Sequence, residues 1–567
     1  MVSNAESLVL VAMTASLIAI GVPTVITILV GTAAWFFGSP KWIPLVALSL
    51  GAALLFVVVG EAASYFRWCV VLYTSALASA QWPTRLAVQW FSLLLLPKSW
   101  LVGSPFGLLI GGTWLLLSED RRNSPEYRVF SRGGRPVPSP WARIRSFVAR
   151  RCLAATVAGT ITIGVEISSG RPVRISLDAL RRHLIVLGRS GRGKTVTILR
   201  IAYESALQGL PVLFIDGKGD PDVRDGLKAI AQANGREFYC VDAMSPGESC
   251  AYDAFAHKSI TSQKDMIVQL RDWSEPHYKG IASAHAQVVF KSMAYGGIYA
   301  DLHSFSRHLS VNAMLGLARR GAGRKGTYES IKSEIVARRG TEKLAIESID
   351  SEVASLTQSS FGEVFDIHAA RRSGRKILQL REAREQSAIV YCGLPALTFP
   401  DAASRFASLL TSDLKASLPA SRKQWLILFD EFSVFANPTT TLNLINMGRS
   451  WGASICISTQ SCADLIATGS EAFLRQVIGS VNSYLVHELT DPADSDLIAG
   501  IFSTSTSVEF TAQIVNNQRT GSASSRAVHE FKIHPEYLKH LALGEVYYLN
   551  KDQPDDIVHA KILPAPL

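Results

Sequence analysis

The apolar positions of this chain change period twice along its length. Ahead of Ser118 they form long unbroken runs, and the run from Leu8 to Phe37 carries no charged side chain. It exceeds the ~20 residues that a membrane helix needs. Trp42 to Gly60 and Leu101 to Leu117 are two further candidate spans, with a weaker one between Trp68 and Leu96. No basic segment precedes the first run and apolar segments keep recurring, which argues against a cleaved signal peptide. From about His183 the apolar stretches shorten. HLIVL (His183 to Leu187) predicts a buried strand, and Ile198, Ile201, Ala202 and Ala206 then recur at helical spacing until Gly209, with Pro211 beyond. PVLFIDGKGD, FYCVD, SAIVYCGLPAL, WLILFDEF and SICIS repeat the theme of an apolar strand with a polar tip. Strands alternating with helices predict a parallel sheet. Between about Tyr252 and Arg381 a mostly helical block interrupts the alternation, clearest over Met266 to Trp273 and Ile331 to Ile349. It reads as an insertion into the sheet domain.

The turn between the first strand and its helix, GRSGRGKTV, supplies candidate chemistry. It comprises Gly188, Arg189, Ser190, Gly191, Arg192, Gly193, Lys194, Thr195 and Val196, and fits G-x-x-x-x-G-K-[ST]. Strand, glycine loop and helix is the order a phosphate-binding loop requires, because loop N–H groups and the helix N-terminus cradle phosphate together. Lys194 is expected to reach the β- and γ-phosphates of ATP, and Thr195 to hold Mg²⁺. WLILFDEF places Asp430 and Glu431 at a strand tip. Asp430 is the expected second Mg²⁺ partner, and Glu431 the carboxylate that polarises the attacking water. Gln460 stands at the tip of the next strand, where an uncharged amide could sense the γ-phosphate. Asp216, Lys218 and Asp220 gather at a further strand end, the edge where open α/β sheets bind ligands. An ion pair of Asp216 with Lys218 inside the turn is the plain alternative.

Charge and cysteine content refine the picture. The net charge is +10 over 567 residues, but residues 118–151 alone hold nine arginines against Glu119, Asp120 and Glu126. The cluster follows the last apolar run, where the positive-inside rule puts a cytoplasmic flank and anionic lipid attracts it. Net charge therefore argues for orientation, with the nucleotide on the same side, rather than for DNA. A smaller basic group, Arg319, Arg320, Arg324 and Lys325, lies within the helical block, where solvated loop charges compete with a DNA contact. The seven cysteines are dispersed without a C-x-x-C pair, as expected of reduced thiols.

In order and spacing, GRSGRGKT, DGKGD, WLILFDEF, the helix end at Arg449 and SICISTQ resemble the coupling-protein ATPases of conjugative type IV secretion, the TraD/TraG kind. The resemblance implies a RecA-like P-loop NTPase with a parallel-sheet core, an all-α insertion and N-terminal transmembrane helices. It implies a homo-hexamer in the bacterial inner membrane, multi-pass, with its ATPase domain in the cytoplasm. Its expected partners are single-stranded DNA with bound relaxase, type IV secretion channel components and membrane lipid. Arg449 would act as an arginine finger on the neighbouring subunit's nucleotide, and Gln460 would couple hydrolysis to movement. The resulting plan is a transmembrane region (1–117), a basic juxtamembrane linker and entry to the motor (118–179), a first nucleotide-binding part (180–251), an all-α insertion (252–385) and a second nucleotide-binding part (386–567). Arg189 and Arg192 depart from the small residues usual in the family's loop, the membrane region looks larger than two helices, and no acidic tail is expected to dock accessory proteins. An FtsK-like double-stranded DNA translocase, a coupling ATPase for protein effectors only, and a scaffold that binds nucleotide without hydrolysing it are the competing readings.

Overall fold

The computed structural model describes residues 157–168, 170–242, 244–245, 247–322, 328–432, 438–515, 518–553 and 556–566, together with 71 and 108–110. The apolar runs of 1–117, the arginine cluster, Arg324 and Lys325 lie almost entirely outside the described residues. Among the described residues no helix is long and apolar enough to cross a membrane.

The strands, in chain order, are β1 (Thr160–Glu166), β2 (Pro172–Ser176), β3 (Leu184–Leu187), β4 (Val212–Asp216), β5 (Phe238–Asp242), β6 (Ala251–Tyr252), β7 (Ile377–Leu378), β8 (Ile389–Gly393), β9 (Trp425–Asp430), β10 (Ala453–Thr459), β11 (Ser483–Val486), β12 (Thr504–Val515), β13 (Gln518–Phe531), β14 (Glu545–Asn550) and β15 (Val558–Ile562). Eleven of them form one sheet in the order β2-β1-β15-β14-β11-β3-β10-β9-β4-β8-β5. From β11 to β5 every pairing is parallel. The parallel core is thus present, but beyond β11 the sheet continues antiparallel through β14, β15, β1 and β2. These strands include residues 160–176, just ahead of the P-loop strand.

The central strands are buried on both faces because helices cover both, which is why they read as unbroken apolar runs. Alternation along each strand then divides the core in two. Leu184, Val186, Val212, Phe214, Leu426 and Leu428 face the helices Lys194–Leu207 and Pro221–Ala233, which contribute Ile198, Ile201 and Leu227. Ile185, Leu187, Leu213, Ile215, Ile427 and Phe429 face the helix Pro400–Ser417 and the helical block. Burying one such side chain contributes roughly 1.5–3 kcal/mol. A few of them on each face therefore outweigh any surface ion pair, and they pin the strand tips that carry the polar residues.

The helical block leaves the sheet after β5 and rejoins it at β8, which inserts between β4 and β5. Its longest helix is Pro276–Tyr295, whose Ala282, Ala286, Val289, Phe290 and Met293 are buried. The segment read as helical from Ile331 to Ile349 is two helices, Tyr328–Val336 and Glu342–Thr357, separated by a turn over residues 337–341. The earlier one spans Ile260–Val268 and stops short of Trp273, whose indole N–H instead caps it by donating to the Val268 carbonyl. β12 and β13 form a separate two-stranded hairpin. All five described cysteines are buried and unpaired.

Candidate nucleotide site

The loop after β3 is shaped by its glycines. Gly188, Gly191 and Gly193 have φ of 147°, 76° and 102°, the left-handed side that L-residues avoid. At Gly188 a Cβ would also come within 2.5 Å of His487 Cβ, so glycine is required there twice over. Gly193 caps the 14-residue helix Lys194–Leu207 without any side-chain hydrogen bond, and no acidic residue occupies its first turn. The first N–H groups and the positive end of the dipole are thus left for an anion. Lys194 is buried, and its Nζ donates to the Gly188 carbonyl at 2.5 Å. Burial holds its ammonium below the ordinary lysine range, partly offset by Glu431. Thr195 is half-buried beside it, while Arg189, Ser190, Gly191 and Val196 are exposed.

Two of the loop's side chains are already engaged. The Nε of Arg189 and that of Arg192 both meet Glu488 Oε2, the former at 3.0 Å. The Arg189 N–H donates to the Glu488 carbonyl at 3.0 Å, and the Gly544 N–H to the Arg192 carbonyl at 3.1 Å. The P-loop is therefore laced along its flank to the residues following β11 and preceding β14. His487 is fully buried behind it, with Nε2 2.9 Å from the Thr197 hydroxyl. Sequence reasoning did not select His487 or Glu488. Their only signal was their place, just past the short apolar strand SYLV.

On the other side of the site, register places Asp216 of β4 opposite Asp430 of β9. Both are buried, and burial raises both above the usual carboxylate range. The alternative of an ion pair between Asp216 and Lys218 is not realised. Asp216 accepts the backbone N–H groups of Lys218 (2.8 Å) and Asp220 (2.7 Å) and the Tyr391 hydroxyl (3.0 Å). The Lys218 ammonium goes to Glu431 instead. Glu431 has φ +54°, a conformation costing a non-glycine residue ~1–2 kcal/mol. Its N–H donates to Asp430 Oδ1 at 3.1 Å, and Gln460 Nε2 donates to its two carboxylate oxygens at 3.0 and 3.2 Å.

Strand order explains this convergence. β10 lies between the P-loop strand β3 and β9, so Gln460, just past its tip, stands between the phosphate loop and Glu431. Arg449 is placed differently. It is exposed and begins the short turn Arg449–Trp451 at the end of the helix Pro438–Gly448, before β10 starts. That is the opposite edge of the sheet, a strand length of roughly 13 Å or more from the P-loop even along the four residues of β3. His183 fastens this end. Its Nδ1 accepts the Ile455 N–H at 3.2 Å, so Nε2 carries the proton donated to the Ile445 carbonyl at 2.8 Å. Burial holds its pKa down at about 4, with Arg449 also lowering it.

No protein-family profile matches the chain. Over 285 residues it is 21% identical to the type 4 coupling protein DotL of Legionella pneumophila, a match covering 46% of this chain and 35% of that one. The chain thus matches about a third of the curated relative's length. In fold it is similar to the bacterial conjugative coupling protein TrwBdeltaN70, with a TM-score of 0.53 and 14% identity, covering 72% of this chain and 90% of that one. TrwB in complex with ADP and Mg²⁺ is similar at a TM-score of 0.51 and 13% identity, covering 74% and 92%. These likenesses support the resemblance to type IV coupling proteins. A nucleotide cradled by the P-loop would bring its own phosphates to a metal, and the residues here suit that arrangement. Among the described residues no set of three or more His, Cys, Asp or Glu side chains could hold a metal ion. Mg²⁺ commonly binds through one or two protein oxygens plus substrate phosphates. Thr195 and Asp430 are hard oxygen donors of that kind.

Proposed function

We propose that this protein is a type IV coupling protein: a membrane-anchored, hexameric ATPase that couples ATP hydrolysis to delivery of relaxase-bound single-stranded DNA into a type IV secretion channel. The observation that carries the reading is Glu431, one residue beyond buried Asp430, with its carboxylate held by Lys218 and Gln460 beside the P-loop. Binding alone does not need such a carboxylate; activating water does. In the proposed step a water oxygen bonds to the γ-phosphorus while Glu431 takes the water's proton. The bond from that phosphorus to the β–γ bridging oxygen breaks, and ADP and phosphate leave. The P-loop N–H groups and Lys194 hold the phosphates in line. Thr195 and Asp430 would hold Mg²⁺, which when bound would supply neutralising charge to the phosphates.

Arg449 is too far along the sheet to serve its own phosphates, which supports its use as a finger on the next subunit's nucleotide in a homo-hexamer. The apolar runs of 1–117 and the arginine cluster support a multi-pass anchor in the inner membrane, in contact with anionic lipid, with the motor in the cytoplasm. DNA as cargo draws on the family and on Arg319 and Arg320, which are exposed at the end of the helix Val311–Arg320.

ATP turnover by the purified full chain in detergent, with and without single-stranded DNA, tests the reading. Turnover that rises with DNA is expected. Nucleotide binding without turnover under either condition would leave a scaffold and overturn the motor.

A further inference from the structure

The turn after β4 is built more heavily than nucleotide binding requires. Asp216 is fully buried, and both of its carboxylate oxygens are occupied by the turn that follows and by Tyr391. Neighbouring strands tie the same turn down. The Gly217 N–H donates to the Asp430 carbonyl at 3.2 Å, and the Ala396 N–H donates to the Gly217 carbonyl at 3.2 Å. Gly219, at φ +69°, packs so closely that a Cβ would meet Pro395 Cβ at 3.2 Å. The outcome of this framing is one placement: the Lys218 ammonium on Glu431, opposite the amide of Gln460. Lys218 is still 48% exposed, so the pair is no core staple, and the Glu431 side chain is only 9% exposed. An exposed ion pair does not require a buried carboxylate, a tyrosine and two strands to aim it.

We infer that Lys218 is a positioning residue for hydrolysis: with Gln460 on the other side it fixes the Glu431 carboxylate where the attacking water's proton is received, and Asp216 and Tyr391 aim Lys218. The inference rests on the ATPase reading above. Lys218 does not act on the nucleotide itself; it limits where Glu431 points. Burial would lower the Lys218 ammonium, and Glu431, with Asp430 and Asp216 behind it, more than reverses this, so the cation persists throughout the working pH range. Misplacing a catalytic group by about 1 Å costs on the order of 10²-fold in rate.

The full chain in detergent is compared as wild type, Lys218→Ala, Lys218→Arg and Asp216→Asn. Steady-state ATP turnover is measured, and affinity is followed with a fluorescent ATP analogue. Lys218→Ala should lower kcat by about 10–100-fold while KM and analogue affinity stay within about twofold, and Lys218→Arg should recover part of the loss. Asp216→Asn should fall between. Zero-length carbodiimide coupling gives a reading without turnover, since it should join residues 218 and 431 in the wild type and not in Glu431→Gln. Unchanged or increased kcat in Lys218→Ala, a loss confined to KM, or no 218–431 crosslink each overturns the positioning role. A wild type that crosslinks and binds nucleotide but never hydrolyses it defeats the ATPase reading, and the positioning role falls with it.

Discussion

His487 offers a perturbation whose size follows from the structure. It is fully buried behind the P-loop, and burial, reinforced by the Lys194 ammonium, lowers its pKa to about 3. In the unfolded chain a histidine titrates near 6.5. Above that value neither state binds a proton at this position. Below it the unfolded chain takes up a proton that the native protein refuses, so the stability contributed by the neutral ring is complete above pH ~6.5 and is lost as pH falls towards about 3. At 1.36 kcal/mol for each pH unit, the ~1.5 units between 6.5 and 5 amount to ~2 kcal/mol. His487→Gln removes this dependence while leaving a polar side chain facing the Thr197 hydroxyl. Other groups with displaced pKa values, His183 and the raised Asp216 and Asp430, are common to both proteins and cancel in the difference. Urea unfolding read by tryptophan fluorescence near pH 7 and near pH 5 is the assay. The variant can be weaker at neutral pH through lost packing, but the gap between the two proteins should move by ~2 kcal/mol in its favour on acidification. Parallel stability curves across that interval would show that His487 is not held neutral, and would remove the argument that burial and Lys194 act on it together.

The remaining expectations concern turnover and cargo. Lys194→Ala and Glu431→Gln should abolish ATP hydrolysis, with Glu431→Gln keeping nucleotide affinity. Loss of a general base costs ~10²–10⁴ in rate, so near-normal turnover in that variant would take Glu431 out of the chemistry. Arg449→Ala should bind ATP without hydrolysing it, and mixing it with Lys194→Ala should restore part of the activity. A finger supplied in trans is worth ~10³–10⁵, and assembled mixed rings that show no recovery would count against it. Replacing Arg319, Arg320, Arg324 and Lys325 together should flatten the salt dependence of single-stranded DNA binding, because each phosphate contact releases counterions. An unaltered slope would return that group to the solvated surface.

What the sequence disclosed and what it concealed have the same physical origin. β3, β4, β8, β9 and β10 are covered on both faces, so burial writes each of them as a continuous apolar run ending in polar residues. The P-loop adds glycines whose φ values no other residue adopts cheaply. Those features are local, and a reading along the chain recovers them. β2, by contrast, is buried only at alternate positions, and β11 is a short strand that opens on Ser483 and Tyr484 and, unlike the equally short β3, is followed by no glycine loop, so neither stands out from its surroundings. The partnerships at the site depend on strand order, which no local pattern encodes. Asp216 and Lys218 are two residues apart and look like a pair, yet the turn's own N–H groups lie closer to the Asp216 oxygens than the lysine's ammonium does. Lys218 is then free to cross to the neighbouring strand, where Glu431 waits at the end of β9. Arg189 and Arg192 likewise meet a carboxylate some three hundred residues away, because β11 happens to lie beside β3. Charged side chains at strand tips are thus legible as candidates from sequence, but their partners are set by which tips the sheet brings side by side. Arg449 makes the point in the other direction. It precedes Gln460 closely in sequence, yet the seven residues of β10 carry the chain from one edge of the sheet to the other. A separation short enough to suggest one shared site is the very thing that keeps this arginine out of its own.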